Sequence, residues 1–299
     1  MALPILTLAA CAPRDGQVGA APSLDAAAPG AAVLFTSELA ANAGAWDEVT
    51  PLDGARVTFG AANAGAADGF VAELRFPGDP TLAAASRTDP NLATMIETRQ
   101  YFRYGTFRSR VQFPTCAPTE EIASAAFMYF SDGGDDNGNG ITDEQELDFH
   151  VLCGTPSFIV LTAWSDYEAH GGVETFRKSS RAVDTSTGDL WDNVAPDDAT
   201  YAKTGNDATL VQPGFLAPGM FYEVGIDWQA TRVRFFIVVG GVEVTLWTLT
   251  DAAFVPQVPL PLMFNLWHPP AHWLPARTAA DYPAHDGVMR IDWARFTSP

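Results

Sequence analysis

The sequence predicts an all-β fold, a two-sheet antiparallel sandwich. From Ala32 onward most segments are short runs of Val, Ile, Phe, Tyr and Trp separated by Gly, Pro, Asp and Asn, the texture of strands and turns. Long helical patterns are nearly absent. So many short apolar runs are most naturally buried by stacking one sheet on another.

The elements follow in chain order. Arg56 to Phe59 and Phe70 to Phe76 are the first predicted strands, then Met95 to Arg99, Gly105 to Phe113 and Ala123 to Phe130. Glu146 to Leu152 alternates polar and apolar residues, and Phe158 to Ala163 follows it. The clearest unit is a meander: Tyr222 to Trp228, a turn at Gln229-Ala230-Thr231, Arg232 to Val239, a Gly240-Gly241 hairpin turn, and Val242 to Leu249. Leu260 to Leu266 and Val288 to Phe296 complete the set. Residues 165 to 220 and 268 to 287 are expected as long loops, where binding residues concentrate.

With 299 residues, 47% hydrophobic and 18% charged, the chain can bury a large core without a partner chain, so one large domain and a monomer are expected. Net charge is -19, with 36 acidic residues against 15 Arg and 2 Lys. That balance argues against nucleic acid and against sulfated or uronic polysaccharides, because polyanions need a basic face. A neutral sugar polymer fits, and so does plain solubility in an extracellular setting.

Residues 1–11 end in Leu8-Ala9-Ala10-Cys11, which resembles the lipobox of bacterial lipoproteins, with Cys11 as the lipidated residue. No Lys or Arg precedes the apolar run, so the alternatives are a start further upstream or an ordinary apolar tail. Residues 12–31, rich in Ala, Gly and Pro, read as a tether to a domain spanning 32–299. An extracellular, cell-surface or periplasmic location is expected, with membrane contact only through an N-terminal lipid, since no apolar run reaches the length of a spanning helix. In an exported protein Cys116 and Cys153 are expected to pair, the alternative being two buried thiols.

Strand alternation points Glu146, Asp148 and His150 to one side and Leu147, Phe149 and Val151 to the other. Two carboxylates and an imidazole on one surface suit acid and base work on a glycosidic bond. The plain alternative is a solvated strand face.

Over about Val33 to Thr297 the chain resembles glycoside hydrolase family 16. The resemblance is carried by Met95-Ile96-Glu97-Thr98-Arg99, Tyr104-Gly105-Thr106-Phe107-Arg108-Ser109-Arg110, Asp143-Glu144-Gln145-Glu146-Leu147-Asp148-Phe149-His150, Tyr222 to Trp228, Met263-Phe264-Asn265-Leu266-Trp267 and Met289 to Phe296, in that order. It implies a concanavalin A-like jelly roll and an endo-acting, retaining enzyme that cleaves or transfers β-linked glucans, with no cofactor required. Glu146 falls at the family's nucleophile and Asp148 at the carboxylate that supports it. The family's acid/base Glu is replaced: the two positions where it would stand hold His150 and Val151. Imidazolium can donate a proton, and two nearby carboxylates would raise its pKa from about 6.5, so His150 is the expected substitute acid.

For sugar contacts the resemblance points to Glu97, Arg99, Asn265 and Trp267, with Trp164 from the following strand. Core packing is the alternative for Trp164 and Trp267, and the preferred reading for Trp228, Trp247 and Trp293. Asp135 to Glu146 also fits a calcium-loop spacing, with Asp135, Asn137, Asn139 and Asp143 as oxygen ligands, although strand-like segments flank it where helices are required. A solvated acidic loop is the alternative. A structural calcium elsewhere in the family makes Asp292 a further candidate ligand. His268, His272 and His285 lie in or near a Pro-rich loop and read as lone histidines. Two other functions stay open: a glycan-binding protein that has lost its chemistry, and a calcium-binding surface protein.

Overall fold

A computed structural model describes residues 32–50, 54–82, 93–131, 144–155, 157–170, 173–193, 201–269 and 281–299; for 166–170 and 173–177 only the backbone is described. The fold is a jelly-roll sandwich of two antiparallel sheets, with no α-helix among the described residues.

The first sheet holds β1 (Val33–Ser37), β3 (Arg56–Ala62), β4 (Phe70–Phe76), β6 (Gly105–Gln112), β13 (Tyr222–Gln229), β14 (Arg232–Val239), β15 (Val242–Leu249) and β17 (Gly287–Thr297). Its order is β15-β14-β13-β6-β17-β4-β3, with β1 also paired to β17. The second sheet holds β2 (Trp46–Val49), β5 (Thr94–Phe102), β7 (Ala123–Ser131), β8 (Glu144–Leu152), β9 (Phe158–His170), β10 (Val173–Asp184), β11 (Asp189–Asn193), β12 (Tyr201–Asn206) and β16 (Leu260–Trp267). It is ordered β12-β11-β10-β9-β8-β7-β16-β5-β2.

The meander forms as its sequence demands. Val239 pairs with Val242 across Gly240 and Gly241, whose φ of 59° and 81° are those a two-residue hairpin needs and side chains resist. The inward faces of both sheets meet in one apolar layer, where Phe102 stacks on Phe296 with centroids 4.6 Å apart and Phe107 meets Phe264 at 5.8 Å. Trp228 and Trp247 belong to this layer. Trp293 does not: it is buried under the Arg295 guanidinium, 4.4 Å from its ring.

The long loop expected over 165 to 220 is largely a sheet extension. β9 runs on to His170, and β10, β11 and β12 add three strands beyond it. Lys178-Ser179-Ser180 and Tyr201 to Asn206 are too polar to announce strands, because they lie towards the sheet's margin. Pairing with a neighbour, rather than apolar alternation, makes them strands.

Two ties close the sandwich. Cys116 and Cys153 are disulfide-bonded with Cα atoms 5.3 Å apart, clamping the end of β8 to the segment that leads into β7. The bridge spans 37 residues, and a loop of that size constrains the unfolded chain by about 3–4 kcal/mol. Cys116→Ser/Cys153→Ser is accordingly expected to unfold at a lower temperature, and an unchanged thermal midpoint would show that the bridge adds nothing. The second tie joins the ends: the Ala32 amide donates to Ser298 Oγ at 2.9 Å and the Ser298 amide to the Ala32 carbonyl at 2.8 Å.

Candidate active site

β8 divides its side chains by alternation. Leu147, Phe149 and Val151 enter the inter-sheet core, while Glu146, Asp148 and His150 take the opposite face of the second sheet. Strand register arranges that face in rows. The first row is Tyr129, Glu146, Trp164 and Lys178, one residue each from β7, β8, β9 and β10. The second is Asp47, Glu97, Met263, Phe127, Asp148, Thr162 and Ser180. The third is Met95, Asn265, Ala125, His150, Val160, Ala182 and Trp191. Beside Glu146 the β8–β9 register slips between Glu144 and Glu146, a bulge of the kind that re-aims side chains at functional sites.

The candidate sugar contacts spread across this face. Trp164 adjoins Glu146, and the Trp267 ring lies 6.2 Å from the His150 ring, edge to face. Asn265 lies two strands from His150, and Glu97 three strands from Asp148, about 10 and 14 Å at normal strand spacing. Arg99 sits near the β2 margin with its guanidinium on Asp47 Oδ1, at 2.8 and 3.0 Å. Trp164 and Trp267 are nearly fully buried, as are Asp148 and His150.

Burial governs the electrostatics. Desolvation, the neighbouring Asp148 charge and Glu144 raise the proton affinity of Glu146 well above that of an ordinary carboxyl, against an opposing pull from Lys178. Burial likewise lifts Asp148 to about 7, while its hydrogen bond with Glu146, the Lys178 charge and Trp164 work the other way. Two adjacent carboxyls in this state titrate as a unit, and both keep their protons to higher pH than exposed carboxyls do. Asp148 Oδ1 and Asn265 Oδ1 are both buried and accept no hydrogen bond from the described residues.

The imidazolium expected at His150 is not what forms. Burial, assisted by the Lys178 charge, lowers its pKa to about 3, because the low-dielectric surroundings disfavour the charged ring. Its Nδ1 is 3.9 Å from Asp148 Oδ1, outside hydrogen-bond reach. His150 is therefore a neutral imidazole at physiological pH.

Lys178 is the residue that sequence reasoning missed. It is 5% exposed, with Nζ 4.5 Å from the centroid of the Trp164 ring. Its signal was faint: one of two lysines in the chain, two residues before Ser180, in a segment expected to be a loop. Behind Asp148, Ser180 Oγ joins Thr162 Oγ1 at 2.9 Å and the Tyr201 hydroxyl at 2.6 Å.

The metal candidates separate from this face. Asp135, Asn137, Asn139 and Asp143, like Cys11 and His272, lie outside the described residues. Asp292, offered as a calcium ligand, is instead held by the Arg110 guanidinium and by the Ala67 amide, 3.0 and 3.1 Å from its two oxygens. Among the described residues no group of three or more His, Cys, Asp or Glu is arranged to hold a metal. His268 Nδ1 lies 2.9 Å from the Glu121 carbonyl oxygen, a local tie.

No known family model matches the sequence, and no curated protein does. Solved structures do resemble it. The kappa-carrageenase of Pseudoalteromonas carrageenovora, solved with a kappa-carrageenan oligosaccharide, shares 13% identity over 91% of this chain and 97% of its own, with a TM-score of 0.55. The Bacillus licheniformis beta-glucanase shares 15% over 89% and 98%, at 0.51. A beta-1,3-1,4-glucanase (lichenase) from a mouse hindgut metagenome shares 16% over 88% and 97%, also at 0.51. What the chain has in common with these three is the fold.

Proposed function

We propose that the protein is a glycan-active enzyme of the family 16 type that cleaves or transfers β-linked polysaccharides on the Glu146 face. The observation that carries this reading is the carboxyl pair itself: on one face of β8 Glu146 lies between Tyr129 and Trp164 and Asp148 between Phe127 and Thr162, both with raised proton affinities. The ionised Glu146 attacks the anomeric carbon as the glycosidic bond breaks. This step uses the form of the pair in which the proton sits on Asp148, from which it passes to the leaving oxygen; water, returning a proton to Asp148, later releases the sugar from Glu146. His150, being neutral, serves as a hydrogen-bonding group for sugar hydroxyls beside Trp267. Similarity in fold to glucanases and a carrageenase supports a polysaccharide substrate, and the net charge of -19 favours a neutral one.

A second reading, glycan binding without turnover, is favoured by one observation. The position where the resemblance places a carboxylic acid holds an imidazole that stays uncharged. Incubating the full chain with mixed-linkage glucan, laminarin, xyloglucan and kappa-carrageenan, with reducing ends and transfer products followed beside affinity-gel mobility, separates the two. Chain cleavage or transfer on any polymer is the expected result. Retardation without either favours binding alone, and inertness in every assay removes both readings.

A further inference from the structure

Of the two lysines in this chain, Lys203 is half exposed and paired to Asp189 at 2.6 Å, as a surface lysine ordinarily is. Lys178 is not ordinary. Its ammonium is buried on the face that carries Glu146, Asp148 and His150, in the row Tyr129, Glu146, Trp164, Lys178. The Trp164 face lies 4.5 Å from its nitrogen, an attraction of about 0.5–2 kcal/mol. Burying an ammonium costs several kcal/mol, and an aromatic face does not offset that without a nearby anion.

We propose that Lys178 is the positioning residue of this site: its ammonium, seated over Trp164, is the fixed positive charge that lets one member of the Glu146–Asp148 pair ionise while the other keeps its proton. The geometry explains the residue type. A compact point charge on a flexible stem fits over the Trp164 ring on the face that carries the carboxyls, where a planar guanidinium would seek bidentate partners. Lys178 touches no reacting atom in this scheme and acts through the carboxyls, whose proton affinities it lowers together with that of His150.

Among the described residues, titratable groups of the neighbouring strands surround it. β8 supplies Glu144, Glu146, Asp148 and His150, β7 supplies Tyr129, and β12 supplies Tyr201, whose hydroxyl is bonded to Ser180. On β11, Asp192 is held by Arg181 at 2.6 Å.

The proposal rests on reading the carboxyl pair as one acid–base unit, but its test needs no turnover. In the full chain with 13C-labelled Asp and Glu carboxyls, the pair is titrated by NMR between about pH 5 and 9, with Glu146→Gln and Asp148→Asn used for assignment. Lys178→Met is expected to move the first ionisation upward by about one pH unit or more, and Lys178→Arg to restore part of the shift. An unchanged titration in Lys178→Met overturns the proposal. Should that variant fail to fold, the parent decides through its Lys178 Nζ resonance: an ammonium at neutral pH supports the assignment, a neutral amine overturns it. Loss of the proposed enzymatic activity would show as missing turnover, with this titration still readable.

Discussion

Glu146→Gln is expected to lower glycan turnover by about ten-thousand-fold while leaving retention on an affinity gel within a few-fold of the parent. The amide keeps the size and hydrogen-bonding reach of the carboxyl. It removes the charge that attacks carbon, and the loss corresponds to about 5 kcal/mol of transition-state stabilisation. The informative comparison is His150→Gln. If an imidazolium donated the proton, this variant would abolish the alkaline limb of the pH–rate profile. Because burial holds His150 neutral, with a pKa of about 3, and gives Asp148 about 7, the limb belongs to the carboxyl pair. His150→Gln should keep that limb, at a rate within about ten-fold of the parent. Disappearance of the limb in His150→Gln would return the acid role to the imidazole, and full turnover in Glu146→Gln would move the nucleophile elsewhere.

The same buried groups predict a pH dependence of stability made of two opposing parts. Asp148, with an ordinary unfolded value of about 4 and a folded one of about 7, takes up more protons folded than unfolded across that interval. Its contribution is full below about pH 4 and is lost as pH rises to about 7. The raised affinity of Glu146 acts in the same sense. His150 is the reverse: with a folded value of about 3 against about 6.5 unfolded, it stabilises the neutral-pH fold, and that stability is lost as pH falls through the interval. In the parent the His150 slope offsets part of the carboxyl slope between about pH 4 and 6.5. Removing one side exposes the other. Glu146→Gln/Asp148→Asn is expected to gain a few kcal/mol from pH 4 to 6.5, and His150→Gln to lose a similar amount, both read from urea midpoints at constant m-value. Parallel slopes in the two variants would show that these groups are not buried in the states described.

Much of this architecture is legible in the amino-acid order. Phe70–Phe76, Arg232–Val239 and Val242–Leu249 match their predicted bounds to the residue, because apolar alternation and glycine turns are local signals. The shared face of Glu146, Asp148 and His150 is legible for the same reason: a period of two needs only a strand. The protonation of that face is not. It depends on burial, and on Lys178, which lies 32 positions after Glu146 and two strands away. The strand that carries Lys178 has no strong apolar pattern and was expected to be part of a loop. His150 shows the cost of reading charge from neighbours alone. The carboxylates beside it suggested a cation, whereas the low-dielectric surroundings act on all three groups and leave the ring neutral.

The knot between Ala32 and Ser298 bears on how the molecule can be held. Both ends of the described chain emerge side by side from β1 and β17, on the sheet that does not carry the carboxyl rows. A leash, tag or fused module attached at either end therefore pulls on the back of the sandwich. The face with the carboxyl rows is left pointing outward, like a hand extended from a wrist that is pinned behind it.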